Sequence, residues 1–290
     1  MDDDAVATVR RFSRAVTARV GALDDHYLAR NRPLSQARVL WEIGLGGSEV
    51  GVLRTRLGLD SGQLSRTLRS LEHDGLIELV THEQDSRVRV AALTEAGAAE
   101  WRELETGSDV AAQSILAPLD ERQRARLVTA MGDVERLLMV SMVEIEARAP
   151  SDPLARVCLR AYLSEIADRF GGAFDSGGGD DQLVPPHGLF LVATLRGEPV
   201  AGGGLKMHAD GPPEIKRLWT SPDARGLGLG RRLLARLERA AIDAGASAVR
   251  LDTNRSLTEA MALYRSTGYD EIPRYNDNPH AHHWFEKQLR

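Results

Sequence analysis

From Ala5 onward, apolar residues return every three or four positions: Val6, Val9, Phe12, Val16, Val20 and Leu23. That interval places them on one helical face and predicts a long amphipathic helix to about Ala29. A second run of the same kind starts near Pro33-Leu34 with Ala37, Leu40, Trp41 and Ile43, and Gly44-Leu45-Gly46-Gly47 breaks it. Ser48-Glu49 then suits the start of a short helix over Val50 to Leu57. A turn at Gly58-Leu59-Asp60-Ser61 leads into a helix from Gly62 to His73, which Gly75 ends. Leu76 to Thr81 and Val88 to Leu93 have strand character, with Glu83-Gln84-Asp85-Ser86-Arg87 as the turn between them. Amphipathic helices follow from Glu95 to about Gln113 and from Asp120 to about Ala147. Two short helices joined by a tight turn and followed by a hairpin make a winged helix-turn-helix.

The pattern then changes. Ala149-Pro150-Ser151-Asp152-Pro153 cannot continue a helix, which predicts a linker at 149–153 between domains at 1–148 and 154–290. The second domain opens with a brief strand-like run, Arg156 to Leu159, and a helix from Ala161 to Phe170. Gly171-Gly172 and Asp175 to Asp181 have the composition of a loop. Strands are expected at Leu189–Leu195 and Pro199–Met207 around the turn Arg196-Gly197-Glu198. A strand at Pro213–Thr220, a glycine-bearing turn and a helix over Arg232–Ala244 come next. A strand at Ala248–Thr253, a helix at Leu257–Ser266 and closing strands, the last at His282–Lys287, complete the chain. This order predicts a mainly α domain followed by a mixed α/β domain with one central, mostly antiparallel sheet.

Composition narrows the setting. A chain of 290 residues with 42% hydrophobic and 27% charged content is ordinary for two globular domains. One cysteine, Cys158, excludes an internal disulfide and suits a reducing compartment. The Met1-Asp2-Asp3-Asp4 start is unlike a secretory signal, and no apolar run approaches membrane-spanning length, so a cytoplasmic protein without a membrane partner is expected. Residues 1–150 hold 19 arginines, no lysine and 24 acidic residues, a net of −5; the remainder is balanced. Net charge therefore does not announce nucleic-acid binding, and any DNA contact must come from locally placed arginines.

The chemistry concentrates at Arg225-Gly226-Leu227-Gly228-Leu229-Gly230-Arg231, between a strand and a helix. Glycines at alternate positions free the backbone amides, and the following helix adds its positive end, which together suit a pyrophosphate. The segment lacks the Gly-Lys-Ser/Thr of a phosphate loop and the third glycine of a dinucleotide fingerprint. It does meet Arg/Gln-x-x-Gly-x-Gly/Ala through Arg225, Gly228 and Gly230. Residues 154–290 resemble the GNAT N-acetyltransferases on this turn, on the strand Glu214 to Thr220, and on Leu251-Asp252-Thr253-Asn254 with Ala262 to Tyr269. The resemblance implies acetyl-CoA as co-substrate and no metal. It assigns the pantetheine arm to the backbone of Leu218, Trp219 and Thr220, with an amide there, Leu218, polarising the thioester carbonyl. Pyrophosphate falls to Gly226, Leu227, Gly228, Leu229 and Gly230 with Arg225 and Arg231. Tyr264 matches the general acid that reprotonates the CoA sulfur, although a lone tyrosine on an amphipathic helix is also a common packing residue. Asn254 is either a CoA contact or a helix cap. Glu214 is either the base for the amine or a solvated strand end. Lys216 and Arg217 are anchors for an acceptor carboxylate or surface charges. His280-Ala281-His282-His283 lacks the partners and spacing of a metal site.

Residues 5–147 resemble the MarR family of transcriptional regulators. The resemblance is carried by Leu57-Gly58-Leu59-Asp60, Leu64 to Leu68, Leu71 to Ile77, Asp85-Ser86-Arg87 and Leu93-Thr94-Glu95-Ala96-Gly97. It implies a homodimer built from the first and last helices. Leu64, Leu68 and Leu71 share the inward face of the second short helix, leaving Gln63, Ser65, Arg66 and Arg69 towards double-stranded operator DNA. Arg89 and Arg87 would reach the minor groove or backbone from the wing. The expected protein is a bifunctional regulator and acetyltransferase acting on a small primary amine. The alternatives are a regulator that only senses acetyl-CoA, or a protein-lysine acetyltransferase.

Overall fold

The computed structural model describes residues 3–20, 28, 32–46, 48–82, 85, 87–170 and 179–289. It divides into two compact units, 1–131 and 132–290. The glycine-rich segment at 171–178, most of the turn at 83–86 and the end of the first expected helix lie outside the described residues.

In the first unit, α1 (Asp3–Arg19) has no buried residue. Helices α2 (Leu34–Gly44), α3 (Val50–Leu57) and α4 (Ser61–His73) precede a hairpin of β2 (Ile77–Thr81) and β3 (Arg89–Leu93). A two-residue strand, β1 (Ser48–Glu49), stands where a helix start was expected and pairs antiparallel with β3, Ser48 opposite Ala91. Leu40 and Ile43 of α2, Leu53 of α3 and Leu64, Leu68 and Leu71 of α4 close one core over Ala91. Asp60 caps α4 by accepting the Gln63 amide at 2.8 Å. Thr94 caps α5 (Glu95–Leu116) through the Gly97 amide at 3.0 Å. Gly97 has a packing reason as well: a Cβ there would lie 1.8 Å from the Leu76 carbonyl oxygen.

Helix α6 (Glu121–Ser141) runs across the division between the units. It was expected to continue to Ala147, but it ends at Ser141, and Arg232 donates to the Val140 carbonyl in its last turn at 2.7 Å and to the Val143 carbonyl just beyond it at 3.2 Å. Residues Glu144–Ala147 form β4, which pairs antiparallel with β5 (Gly188–Leu195), Ile145 facing Ala193. The proposed linker at 149–153 therefore falls inside the second unit, after its first strand. Asp152 accepts the Leu154 amide at 2.9 Å, and Pro153 occupies the first position of α7 (Pro153–Phe170). With the helix nucleated there, Arg156–Leu159 is helical and not the strand its composition suggested.

The second unit holds a seven-stranded sheet. Its strands are β4, β5, β6 (Glu198–Lys206), β7 (Glu214–Thr220), β8 (Ala248–Thr253), β10 (His283–Gln288) and β9 (Asp270–Ile272), in that spatial order. Every neighbouring pair is antiparallel except β7 and β8, which run parallel and meet only at Glu214 opposite Arg250. Beyond that point the sheet splits. Helix α8 (Leu229–Asp243) buries Leu229, Leu233, Leu234, Leu237 and Ala241 on one face. On the other, α7 packs Ala155, Cys158 and Leu159 against Phe190, Val192 and Trp219. Burial pushes the Cys158 thiol up to about 12. Helix α9 (Thr258–Ser266) follows β8.

One irregularity sets up the site. Gly202 faces Trp219 and Gly204 faces Lys216, so Gly203 alone opposes both Arg217 and Leu218. The extra residue is a β-bulge, and Arg217 takes the left-handed region at φ 55. For a residue with a Cβ this conformation costs about 1–2 kcal/mol.

Candidate active site and nucleic-acid interface

The split between β7 and β8 opens a cavity of about 580 Å³. Leu218, Trp219 and Thr220 line one wall, and Thr253 and Asn254 line the other. Alternation along a strand would send adjacent side chains to opposite faces. The cavity runs along the edge of β7 that the split exposes, so every residue from Ile215 to Thr220 borders it, the bulge included.

At one end lies the glycine turn. Gly226 at φ 80 and Gly228 at φ 71 adopt a conformation that penalises any Cβ. Gly228 is the N-cap of α8 and no side chain caps the helix. The first helical bond runs from the Arg232 amide to the Gly228 carbonyl at 3.1 Å, so the Leu229, Gly230 and Arg231 amides precede the ladder. All three residues border the cavity, as do Arg225 and Gly226. Uncapped amides, the helix dipole and two guanidinium groups fit the pyrophosphate of a coenzyme A thioester. Gly230 also serves packing, since a Cβ would approach Leu263 to 3.2 Å. Leu227 departs from the expectation: it is buried in the core, its amide is given to Ala224 at 3.4 Å, and it does not line the cavity.

Glu165 on α7 was not foreseen. Its carboxylate accepts from Arg225 at 2.7 Å, Arg169 at 2.8 Å and the Trp219 indole at 3.1 Å, tying α7 to the turn. Asn254 spends both ends of its amide on structure, accepting the Ser256 amide at 2.9 Å and donating to the His280 carbonyl at 2.7 Å. It does not cap α9.

Tyr264 is 6% exposed and borders the cavity, packed against Tyr269 and Phe285 with ring centroids 5.9 Å away in each case. Burial raises its phenol well above the ordinary value, and Tyr162 and Asp252 add to the shift. It therefore stays a proton donor at neutral pH. Tyr162 faces the same space from α7; burial pushes it up to about 12, with Arg217 pulling it down and Asp252 pushing it up.

Glu214 does not line the cavity. It is 4% exposed and accepts from Tyr275 at 2.7 Å, Lys216 at 2.8 Å and Asn276 at 3.1 Å, with His208 at 3.4 Å. The same pairing, together with burial, raises Tyr275. The carboxylate that does border the cavity is Asp252, which accepts from Asn276 at 2.6 Å and from Lys216 and Asn278 at 3.2 Å each. Burial pulls the Lys216 ammonium down, but Glu214 and Asp252 more than offset this and hold it above its ordinary value. A signal for Asp252 existed in the sequence, as an acid on a strand whose neighbours Val249 and Leu251 are core residues. His283 pairs with Glu271 at 2.7 Å and His280 stacks on Phe170 at 6.0 Å. Among the described residues no group of three His, Cys, Asp or Glu is arranged to hold a metal ion.

In the first unit, α4 presents Gln63, Arg66 and Arg69 to solvent with Ser65 half-buried beside them. Arg69 donates to the Ser65 hydroxyl at 2.9 Å. On the wing, the Asp85 carboxylate accepts the Arg87 amide at 2.9 Å and its guanidinium at 3.3 Å. Arg89 is exposed at the start of β3. The arginines expected to meet DNA thus stand on one helix and one hairpin of a winged helix-turn-helix.

A sheet split between two parallel strands, with a glycine turn feeding an uncapped helix beside a buried tyrosine, defines an acyl-CoA-dependent N-acetyltransferase. The model of the acetyltransferase (GNAT) family matches residues 159–269, and the model of the MarR family matches residues 31–88. An uncharacterised N-acetyltransferase of Schizosaccharomyces pombe is 35% identical over 130 residues, covering 41% of this chain and 79% of that one. An IAA acetyltransferase of Azospirillum brasilense is 41% identical over 88 residues, covering 30% of this chain and 58% of its own length. A solved GNAT acetyltransferase of Staphylococcus aureus aligns with a TM-score of 0.45 at 16% identity, covering 51% of this chain and 99% of that chain. The chain belongs to the GNAT family of acetyltransferases, with a MarR domain fused ahead of it. No helix among the described residues is long and apolar enough to cross a membrane.

Proposed function

We propose that the protein is a dimeric, cytoplasmic transcriptional regulator that also transfers an acetyl group from acetyl-CoA to a small primary amine. The observation that carries the transferase reading is the meeting of Tyr264, Leu218 and the uncapped start of α8 around one cavity. The Leu218 amide polarises the thioester carbonyl, as an oxyanion hole does. Asp252, in place of the sequestered Glu214, takes a proton from the acceptor ammonium. The amine nitrogen then bonds to the carbonyl carbon, the carbon–sulfur bond breaks, and Tyr264 returns a proton to the leaving thiolate. The net products are an amide, a thiol and one released proton. Holding both substrates in one cavity supplies much of the rate.

For the other half, Gln63, Ser65, Arg66 and Arg69 read an operator, with Arg87 and Arg89 at its edge. Exposed Val9, Phe12, Val110 and Val128 on α1, α5 and α6 support burial of these helices against a second chain.

Free-thiol release across a panel of amines and lysine peptides tests the transferase reading. Acceptor-dependent release should fall roughly 100-fold in Tyr264→Phe with acetyl-CoA affinity retained. Tight acetyl-CoA binding without turnover on any acceptor would instead make the domain a sensor.

A further inference from the structure

The acceptor half of the cavity carries two opposite charges close together. Asp252 is 7% exposed at its side chain, and it shares the Lys216 ammonium with Glu214. Two carboxylates around one ammonium leave this corner with a net negative charge. Asp252 accepts three hydrogen bonds, two on Oδ2 and one on Oδ1, so Oδ1 can take one more donor.

Next along the strand stands Arg217. Its side chain is 10% exposed, it sits at the bulge opposite Gly203, and it borders the same cavity as Lys216. It holds the left-handed φ of 55 that a side chain normally avoids. Strain retained at a bulge beside a site marks a side chain that is being aimed. Arg217 pairs with Asp180, which is 55% exposed and therefore a partner that can swing into water. Lys216, the residue next to Arg217, reaches Asp252 at 3.2 Å, and Arg217 and Asp252 both border the cavity. The surrounding wall from α7 and the 273–282 loop is mixed, with Ile166, Phe170 and Ala281 beside Glu165, Arg169, Asn278 and His280.

The geometry points to an α-amino acid as the acceptor, its ammonium on Asp252 and its carboxylate on Arg217 in exchange for Asp180. This assignment rests on the transferase reading of the same cavity and names its substrate class. A guanidinium buried for this purpose is left poorly matched by an acceptor without a carboxylate, so discrimination should be large.

The test compares L-phenylalanine with 2-phenylethylamine, which lacks only the carboxylate. The wild type should favour L-phenylalanine by roughly 100-fold in kcat/KM. Arg217→Gly removes the guanidinium at a φ that glycine accepts, so this variant should fold. It should lose the preference through the amino acid alone, leaving 2-phenylethylamine within a few-fold. Asp180→Asn should lower KM for L-phenylalanine a few-fold without altering that for 2-phenylethylamine, whereas a purely structural ion pair would give no gain. Calorimetry on the CoA-saturated protein reads the subsite independently of turnover. L-phenylalanine binding that Arg217→Gly abolishes, without thiol release, would support the subsite and sink only the transferase reading. Equal use or equal binding of the two compounds by the wild type would overturn the assignment. So would parallel losses for both in Arg217→Gly, or an absence of L-phenylalanine binding.

Discussion

Two carboxylates near the split, Glu214 and Asp252, differ in surroundings and so in role. Glu214 is locked among Tyr275, Lys216 and Asn276, and Asp252 alone of the two reaches the cavity. Glu214→Gln should cost about 3 kcal/mol of stability, because it leaves Lys216 with half its counter-charge in a buried place. Asp252→Asn takes away the other half and should cost a similar amount, while also lowering kcat/KM roughly 100-fold. Denaturant unfolding and thiol-release kinetics on both variants check this. A Glu214→Gln protein of normal stability and no activity would return the base role to Glu214.

At the scale of elements, the proposed binding chemistry rests on one helix and one turn. Helix α4 is pinned by Leu64, Leu68 and Leu71 and capped by Asp60, so its Arg66 and Arg69 face solvent at fixed positions. Replacing each with alanine should weaken operator binding by about 1–3 kcal/mol, and each lost phosphate contact should reduce the salt slope by about one. Affinity measured over a salt series decides it; an unchanged slope would remove these arginines from the interface. The α8 start shows the opposite device, with amides that no side chain caps behind Gly228, an arrangement that suits an anion.

Across the molecule, the four described tyrosines all belong to the second unit, and burial raises each one: Tyr162 up to about 12, and Tyr264, Tyr269 and Tyr275 higher. The folded state holds these protons more tightly than the unfolded chain. Their contribution is therefore fully present below about pH 10 and is lost as pH rises through the raised values, at about 1.4 kcal/mol per tyrosine per unit. The melting temperature of this unit should be level up to about pH 10 and fall steeply above it, together with tyrosinate absorbance. Tyrosinate appearing near pH 10 without loss of structure would contradict this burial. Light scattering should also give twice the 31.7 kDa chain mass, as burial of the α1, α5 and α6 faces requires.

What the sequence determined by itself was local. Helical and alternating periodicities located most elements, the Asp60 and Thr94 caps and the glycine turn marked element starts, and the motif order announced both domains. The tertiary structure decided whatever depends on neighbours far along the chain. Helix α6 ends at Ser141, where Arg232, some ninety residues later, binds the Val140 and Val143 carbonyls, and 144–147 pairs with β5 as a sheet strand of the second unit. Asp252, not Glu214, borders the cavity because β7 and β8 part beyond a single pair. Arg217 takes its left-handed backbone beside that cavity because Gly203, on the adjacent strand, faces two residues. Periodicity records which face a residue prefers, but it carries no information about where two paired strands separate or where one gains a residue.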